Sequence, residues 1–261
     1  MQNPPKSIYD KIFWMSLYTD TSLWTELADK IAVRDYVYFR CGSELLPKLY
    51  KTYKAAQDID FKELPDSFVI KTNNGCGSNY IVRSKDSVDL ESIRSDLAKW
   101  LKYPYGELTG QLHYSRIKPQ ILAEELMCQS NEPEETLTDY KFYCFNGIVR
   151  YCYVVMDRVF DQKHSHKRMM YDTHWNELPD AFVDGVAFGY TEKPLALNEM
   201  IEIAEKLSEG IPFVRVDLYE VDGAVRFGEM TFMPGMDPGF NEAFQEEMGS
   251  MIVLPEAIRN I

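Results

Sequence analysis

Two carboxylates and an arginine form the arrangement in this sequence that is best suited to chemistry. Arg215 and Asp217 lie two residues apart in FVRVDLYEV, and Glu229 lies in AVRFGEMTF, beyond the dipeptide Asp222-Gly223. Asp-Gly is a strong signal for a two-residue hairpin turn, and residues two apart on a strand share a face. The hairpin can therefore bring Asp217 near Glu229. Converging carboxylates repel each other unless a cation lies between them, and Mg²⁺ favours one or two carboxylates plus phosphate oxygens.

The rest of this hairpin bears on the same hypothesis. By alternation we expect Phe227, Glu229 and Thr231 to share a face on the second arm. The segment PGMDPG follows directly, and its glycines allow a backbone to approach a ligand closely. The alternative is an ordinary hairpin whose charges face solvent.

A glycine-rich segment is the second candidate site. Lys71 ends the apolar run SFVIK, and YIVRS follows the segment NNGCGSN. The loop therefore joins two strands, unlike the loop of a P-loop NTPase or a Rossmann fold, which opens a helix. Lys71 and several backbone N–H groups are suited to hold a phosphate chain, whereas the alternative is a structural turn. The turn residues are Asn73, Asn74, Gly75, Gly77 and Ser78.

Two further strands carry charged residues. Glu124 and Glu125 end the apolar run of ILAEELM, where unpaired backbone groups could read an adenine edge; the alternative is a strand end with solvated acids. In DYKFYCF the alternation places Asp139, Lys141 and Tyr143 on one face. Lys141 is then either a nucleotide contact or a surface cation.

Composition narrows the class of protein. The 261 residues include 28 Lys and Arg against 41 Asp and Glu, a net charge of −13, which disfavours contact with nucleic acid or anionic lipid. The five cysteines form no CxxC pair, so we expect reduced thiols in a cytoplasmic protein, without disulfides or zinc. No apolar run approaches the roughly 18 residues that suggest a membrane span. The oligomeric state stays open.

Periodicity predicts the elements that must position these residues. We expect helices through most of residues 7–57, including Leu45 to Tyr53, and again within 86–102 and 197–210. Asn146-Gly147 predicts a second hairpin turn. Residues 158–179 lack periodicity and are expected to form a lid or loop. That segment holds a basic cluster, which either meets an anion or is solvated, made up of Lys163, His164, His166, Lys167 and Arg168.

In this order, six phrases resemble the ATP-grasp superfamily, and in particular its teichuronopeptide-biosynthesis (TupA-like) branch from bacterial capsule and cell-surface polysaccharide loci. They are LADKIAVRDYV, DIDFKELPDSFVIKTNNGCGSN, ILAEELM, DYKFYCFNG, MDRVFD and IAEKLSEGIPFVRVDLYEVDGAVRFGEMTFMPG. The resemblance implies an α+β ATP-grasp fold, in which two lobes grip ATP after a short helical N-terminal segment. The expected bounds are 1–60 for that segment, 61–130 for the first lobe and 131–261 for the second.

The resemblance also implies roles for the candidate residues. Lys71 would contact the α and β phosphates under the glycine-rich loop. Glu124, with Glu125 and the backbone near Leu126 and Met127, would hold adenine, and Asp139 or Lys141 would reach the ribose or phosphates. The candidate catalytic residues are Arg215, Lys71 and Lys141.

A metal site and a basic pair are implied in the same way. Asp217 and Glu229 would bind Mg²⁺, with two ions expected. Thr231 stands where the superfamily pattern Glu-x-Asn has its asparagine, so Asn241 or a water is an alternative third ligand. Lys30 and Arg34 resemble the family's basic pair, and the alternative for them is an exposed helix face.

The function implied is an ATP-dependent carboxylate–amine ligase that acts through an acyl phosphate and releases ADP and phosphate. It would join an amino acid to a uronic-acid sugar or peptide in bacterial cell-surface polysaccharide biosynthesis. The expected partners are therefore small carboxylate and amine substrates, including a sugar or polysaccharide precursor. The alternatives are an ATP-dependent phosphotransferase and a non-catalytic nucleotide-binding regulator.

Overall fold

The chain divides into two compact units in a computed structural model that describes residues 4–132, 135–156, 167–186, 188–235 and 239–258. The large unit comprises Met1–Asp20, Arg40–Leu45 and Cys128–Ile261, and the small unit comprises Thr21–Phe39 and Leu46–Met127. The domain bounds expected from the sequence, 1–60, 61–130 and 131–261, stay a prediction.

The small unit is built on an antiparallel four-stranded sheet. Its strands are β1 (Leu49–Tyr53), β2 (Phe68–Thr72), β3 (Asn79–Val82) and β4 (Ile121–Glu124), in the spatial order β1-β4-β2-β3. Helix α4 (Leu90–Trp100) begins at Asp89, whose side chain accepts hydrogen bonds from the N–H groups of Glu91 and Ser92. The core joins Phe68 and Ile70 of β2 to Ile93 and Leu97 of α4, and buries all four. The other helices here are α2 (Ser22–Ala28), α3 (Val33–Cys41, whose last two residues belong to the large unit) and α5 (Tyr105–Thr109).

The helix expected between Leu45 and Tyr53 is wrong over most of that range. Residues Leu49 to Tyr53 form strand β1, which pairs antiparallel with β4. Their aromatic and β-branched composition, LYKTY, suits a strand. The edge of β4 supplies the hydrogen bonds, and helical spacing of four apolar residues was too weak a signal to compete with that pairing.

The large unit is built on an antiparallel five-stranded sheet in the order β7-β6-β5-β8-β9. Both predicted hairpin turns are confirmed: Asn146-Gly147 joins β5 to β6, and Asp222-Gly223 joins β8 to β9. All four turn residues have φ between 51° and 80°, as a type I′ turn requires. The strands are β5 (Asp139–Phe145), β6 (Ile148–Met156), β7 (Lys167–Asp172), β8 (Phe213–Val221) and β9 (Ala224–Thr231), and the helices are α1 (Ile8–Tyr18), α6 (Leu197–Ser208) and α7 (Glu242–Ser250).

The expectation of a lid or loop over 158–179 is wrong for residues 167–172. Residues Lys167 to Asp172 form β7, which pairs with β6. Met169, Met170 and Tyr171 are all buried. Because consecutive residues are buried on both faces of this strand, its sequence shows no alternation. Residues 158–166 lie outside the described part of the chain.

A bulge at Gly228 sets the register of the β8-β9 hairpin. From the turn, Leu218 pairs with Phe227, but Asp217 pairs with Glu229, so Gly228 is the extra residue. Phe227 therefore follows Leu218 into the core, whereas Glu229 shares the face of Asp217. The expectation that Phe227 and Glu229 share a face is wrong, because one inserted residue reverses the alternation beyond it.

The fold is α+β, with both sheets antiparallel and the helices packed outside them. Among the described residues, no helix combines the length and the apolar character needed to cross a bilayer.

We predict that Gly228→Ala lowers the free energy of unfolding by about 1–3 kcal/mol. A Cβ at this position would lie 2.9 Å from both the backbone oxygen of Asp217 and the ring of Tyr219, so the bulge would have to shift. Gly235→Ala is the matched control, since a Cβ there meets no atom within 4 Å, and its effect should stay within about 0.5 kcal/mol. Urea denaturation measures the free energy of unfolding of both variants. An equal loss of stability in the two would contradict the close packing proposed for Gly228 in the bulge.

Candidate functional site

A cluster of charged side chains lies on one face of the large unit's sheet, centred on Asp217. Lys141 Nζ donates to Asp217 Oδ2 at 2.7 Å and lies 3.3 Å from Asp139 Oδ2. Arg215 donates from Nε to Asp217 Oδ1 and from Nη2 to Oδ2, both at 2.7 Å. The side chain of Asp217 is only 2% exposed. The two alternatives that made Lys141 a surface cation and Asp217 a solvent-facing charge are therefore wrong.

Strand register brings this cluster together. Lys141 of β5 lies opposite Asp217 of β8, and Asp217 lies opposite Glu229 of β9. The structure confirms the expected pairing of Asp217 with Glu229, and the bulge at Gly228 produces it. Charges from three neighbouring strands thus meet at one level of the sheet.

Burial and the neighbouring charges act in opposite directions on the two cations. Burial lowers the pKa of Lys141, but Asp217 and Asp139 outweigh it, so the pKa of Lys141 lies above its ordinary value. The pKa of Arg215 is also raised, because Asp217 outweighs the burial. Burial and Asp139 hold the pKa of the Tyr219 hydroxyl well above its usual range. Both cations therefore keep their charge in the site at neutral pH.

The carboxylates around Glu229 suit a Mg²⁺ ion whose coordination is completed by substrate phosphates. Among the described residues, three carboxylates (Asp139, Asp217 and Glu229) and two cations (Lys141 and Arg215) share this face of the sheet. The Glu229 side chain is 37% exposed, so a cation can reach it. No group of three or more His, Cys, Asp or Glu residues in the described chain could hold a metal by itself. Both oxygens of Asp217 accept from Lys141 and Arg215, so a metal ion must displace one of these donors to reach Asp217, whereas Glu229 is directly accessible. One or two carboxylates completed by phosphate oxygens match the preference of Mg²⁺.

The hydroxyl of Thr231 and the amide of Asn241 have protein partners. Thr231 Oγ1 accepts from Arg215 Nη2 at 3.0 Å and lies 3.3 Å from Glu229 Oε1. Asn241 caps helix α7, with its Oδ1 accepting from the N–H of Phe244 at 2.9 Å. Metal ligation by Thr231 stays a prediction. The side-chain oxygen of Asn241, the alternative ligand, is used as the N-cap of α7.

The small unit holds a second charged group, centred on Glu124. Lys71 forms an ion pair with Glu124 Oε1, and Arg34 Nη1 donates to Oε2 at 3.2 Å. The Glu124 side chain is 7% exposed and lies between the two cations. Arg34 is therefore not part of an exposed helix face, and the sequence signals for it were its spacing from Lys30 and the resemblance to the family's basic pair. An adenine contact of Glu124 stays a prediction.

The glycine-rich loop is fixed at both ends. Thr72 N donates to Ser78 O at 3.1 Å, and the two hydroxyls lie 2.7 Å apart. The Asn73 side chain is wholly buried: its Nδ2 donates to Asp29 Oδ1 at 2.9 Å, and its Oδ1 accepts from Gln120 N at 2.7 Å. Lys30 donates to the carbonyl of Gly75. Sequence reasoning missed Asp29, because its role depends on a contact 44 residues away.

The remaining candidate residues lie directly after β4, on β7 or outside the described part of the chain. Glu125 Oε2 accepts from Lys48 N at 3.0 Å, and the half-buried Leu126 and Met127 continue the chain directly after β4. Arg168 is buried on β7 and Lys167 is exposed. The other members of the basic cluster, residues 157–161 of MDRVFD and residues 236–238 lie outside the described residues.

Comparison with known proteins is consistent with this architecture. Residues 10–253 match the family described as TupA-like ATPgrasp. A D-alanine–D-alanine ligase from Bacillus anthracis, solved in complex with ATP, aligns with a TM-score of 0.53 and 15% identity over 96% of this chain and 74% of its own. A RimK-domain ATP-grasp protein from Sphaerobacter thermophilus aligns at 0.48 and 11%, over 90% and 69%. No curated protein sequence matches the chain.

The match covers nearly the whole sequence. The chain therefore belongs to the TupA-like ATP-grasp family, and its fold is the ATP-grasp fold. The resemblance seen in the sequence motifs is confirmed.

We predict that Asp217→Asn and Glu229→Gln differ sharply in their effect on stability. Asp217→Asn leaves two buried cations short of a charge and should lower the free energy of unfolding by roughly 3–5 kcal/mol. Glu229→Gln should cost no more than about 1 kcal/mol, since its side chain is 37% exposed and its ion pair with Arg215 is long, at 3.5 Å. Chemical denaturation measures the free energy of unfolding of both variants. A smaller loss of stability in Asp217→Asn than in Glu229→Gln would contradict the electrostatic account.

Proposed function

We propose that this protein is an ATP-dependent and Mg²⁺-dependent ligase that joins a carboxylate to an amine through an acyl phosphate. The observation that carries the proposal is the pairing of Asp217 with Glu229 beside Arg215 and Lys141. Two carboxylates that face each other across neighbouring strands repel, so a bound cation and a phosphate chain give a physical reason for their pairing. Family membership and the fold shared with an ATP-bound D-alanine–D-alanine ligase support ATP as the nucleotide and ligation as the reaction.

The small unit supplies groups suited to the inner phosphates of ATP. Lys71 is the penultimate residue of β2, beside the glycine-rich loop, and its charge is held in place by Glu124. Phosphate oxygens of ATP would share the Lys71 ammonium group with Glu124. Backbone N–H groups of the loop would donate hydrogen bonds to the same phosphate groups. Lys30 would keep the loop in place through its bond to Gly75.

The large unit supplies groups suited to the transferred phosphoryl group. Asp217 and Glu229 would hold Mg²⁺, which neutralises charge on the phosphates when bound. Lys141 and Arg215 carry fixed positive charges on the same face of the sheet. They would stabilise the negative charge that develops as the substrate carboxylate attacks the γ phosphorus and the bond to ADP breaks.

The acyl phosphate formed in this way reacts with an amine. The carboxylate oxygen, a poor leaving group as oxide, departs as phosphate, and the amine loses a proton as the C–N bond forms. The substrates we propose are an amino acid together with a uronic-acid sugar or peptide, in bacterial cell-surface polysaccharide biosynthesis. This assignment rests on the family alone.

The products of the reaction test the mechanism. With Mg-ATP and a carboxylate labelled with ¹⁸O, we expect ADP and one label transferred to inorganic phosphate; hydroxylamine in place of the amine should trap a hydroxamate. AMP with pyrophosphate would show adenylation and contradict the proposal. ADP with phosphate retained on a stable product would indicate a phosphotransferase, and binding of ATP without turnover on any carboxylate and amine would indicate a regulator.

Replacement of Lys71 tests the nucleotide site. Lys71→Ala should weaken ATP binding by about tenfold or more, because a charge-assisted phosphate contact is lost. Lys51→Ala is the matched control: it also pairs with a glutamate in the small unit, but it lies on β1 at 48% exposure. Calorimetric titration with Mg-ATP measures both variants. Equal affinities for the two variants would remove Lys71 from the site.

A further inference from the structure

The turn between α2 and α3 contacts the glycine-rich loop at two points. Asp29 Oδ1 accepts from Nδ2 of Asn73, the first residue of the loop, at 2.9 Å. Lys30 Nζ donates to the carbonyl oxygen of Gly75, further along the loop. Two consecutive residues therefore hold two positions of the loop, and both belong to Thr21–Phe39, the part of the small unit that precedes its sheet.

One oxygen atom of Asp29 organises the turn as well as the loop. Its Oδ1 accepts from the N–H groups of Ile31 at 2.8 Å and Ala32 at 3.4 Å, in addition to the bond from the loop. Such side-chain bonds to the backbone fix the path of the chain through a turn. The ammonium group of Lys30 therefore reaches Gly75 from a constrained backbone, and both attachments of the loop depend on Asp29.

The side chain of Asn73 uses all of its polar groups in this arrangement. It is wholly buried, its Nδ2 donates to Lys118 O at 3.1 Å as well as to Asp29, and its Oδ1 accepts from Gln120 N at 2.7 Å. Without Asp29, one buried N–H of this amide would lose its acceptor, which is costly. The amide could recover a bond only by turning, and the start of the loop would move with it.

We propose that Asp29 is a positioning residue of the nucleotide site, which holds the loop so that its backbone N–H groups converge on the phosphates of ATP. The inference rests on the proposed function, because it concerns the loop assigned there to ATP. Donors that are already in place need little ordering when the ligand binds, so the affinity for ATP depends on Asp29.

This role requires an acceptor atom and not a negative charge. The bonds from Asn73, Ile31 and Ala32 all end on Oδ1 of Asp29, and Oδ2 accepts no hydrogen bond from the described residues. An asparagine carries the same acceptor oxygen without the charge. A carboxylate that bound a metal ion or took up a proton would not be replaced in this way.

The alternative is that Asp29 only stabilises the turn before a helix. Asp89 has that role at the start of α4, where its Oδ1 accepts from the N–H groups of Glu91 at 3.0 Å and Ser92 at 3.1 Å. These are the residues two and three positions later, as for Asp29, and both bonds stay within the start of the helix. Asp89→Ala is therefore the matched control for Asp29→Ala.

Two measurements on the full chain test the proposal. Calorimetric titration with Mg-ATP gives the affinity, and the alkylation rate of Cys76 without nucleotide reports the state of the loop, since this exposed thiol follows Gly75. We expect Asp29→Ala to weaken Mg-ATP binding about fivefold or more and to speed alkylation of Cys76. Asp89→Ala should leave both within about twofold of wild type, although each variant lowers Tm through its lost turn bonds.

Two further substitutions of Asp29 separate its roles. Asp29→Asn should restore most of the ATP affinity that Asp29→Ala loses, because the acceptor oxygen returns. Asp29→Ser keeps an acceptor for the turn, but its shorter side chain does not reach Asn73. It should melt close to wild type and still bind Mg-ATP more weakly than Asp29→Asn, so the proposal can be tested even where Asp29→Ala does not fold.

Three results would overturn the proposal. They are wild-type ATP affinity and Cys76 alkylation in the folded Asp29→Ser variant, equal effects of Asp29→Ala and Asp89→Ala on both measurements, and equal loss of affinity in Asp29→Asn and Asp29→Ala. Failure of the proposed function is distinct, because a wild-type chain that binds no ATP would contradict that function. The alkylation of Cys76, which needs no nucleotide, would then still show whether Asp29 holds the loop.

Discussion

The ion pairs of Asp217 with Lys141 and Arg215 are the interaction on which the large unit's site depends. Each of these charges is almost removed from water, and a buried charge without its partner costs several kcal/mol. The partners come from neighbouring strands, so β5 and β8 must pair in one register for the charges to meet. Because a slip of one residue would turn each side chain to the other face, the electrostatics and the sheet register support each other. Gly228 is the extra residue of a bulge in β9, and this insertion places Glu229 opposite Asp217.

The small unit uses a related arrangement at the glycine-rich loop. Glu124 lies between Lys71 and Arg34 and forms an ion pair with each. Its negative charge therefore offsets the repulsion between the two cations and fixes their positions. The loop itself is held by neutral and charged hydrogen bonds from Asn73 and Lys30. In both units, then, a carboxylate holds the cations that are proposed to bind phosphate. Such pre-positioned charges need little reorganisation when a nucleotide arrives, which is the condition for strong electrostatic stabilisation.

Local rules predicted the elements whose signals are contained within a few residues. Asn146-Gly147 and Asp222-Gly223 both form type I′ turns, because these dipeptides tolerate positive φ. Helix α6 follows from the spacing of Met200, Ile203 and Leu207, and Gly210, at φ 76°, comes directly after its C-cap residue. The same rules failed for β1 and β7. Strand β1 depends on a partner about 70 residues later in the chain, and β7 is buried on both faces, so neither carries a readable period.

The sequence by itself determined which residue types were available for chemistry and which short elements would carry them: Lys71 before a glycine-rich loop, and Asp217 and Glu229 on the arms of one hairpin. It also contained the order of motifs that identifies the family. Only the tertiary structure decided which charges meet. Lys141 reaches Asp217 from 76 residues away, and Arg34 reaches Glu124 from 90. Contacts at such separations depend on strand register and packing, which no local spacing encodes, and the bulge at Gly228 shows that one residue of register is enough to change the composition of the site.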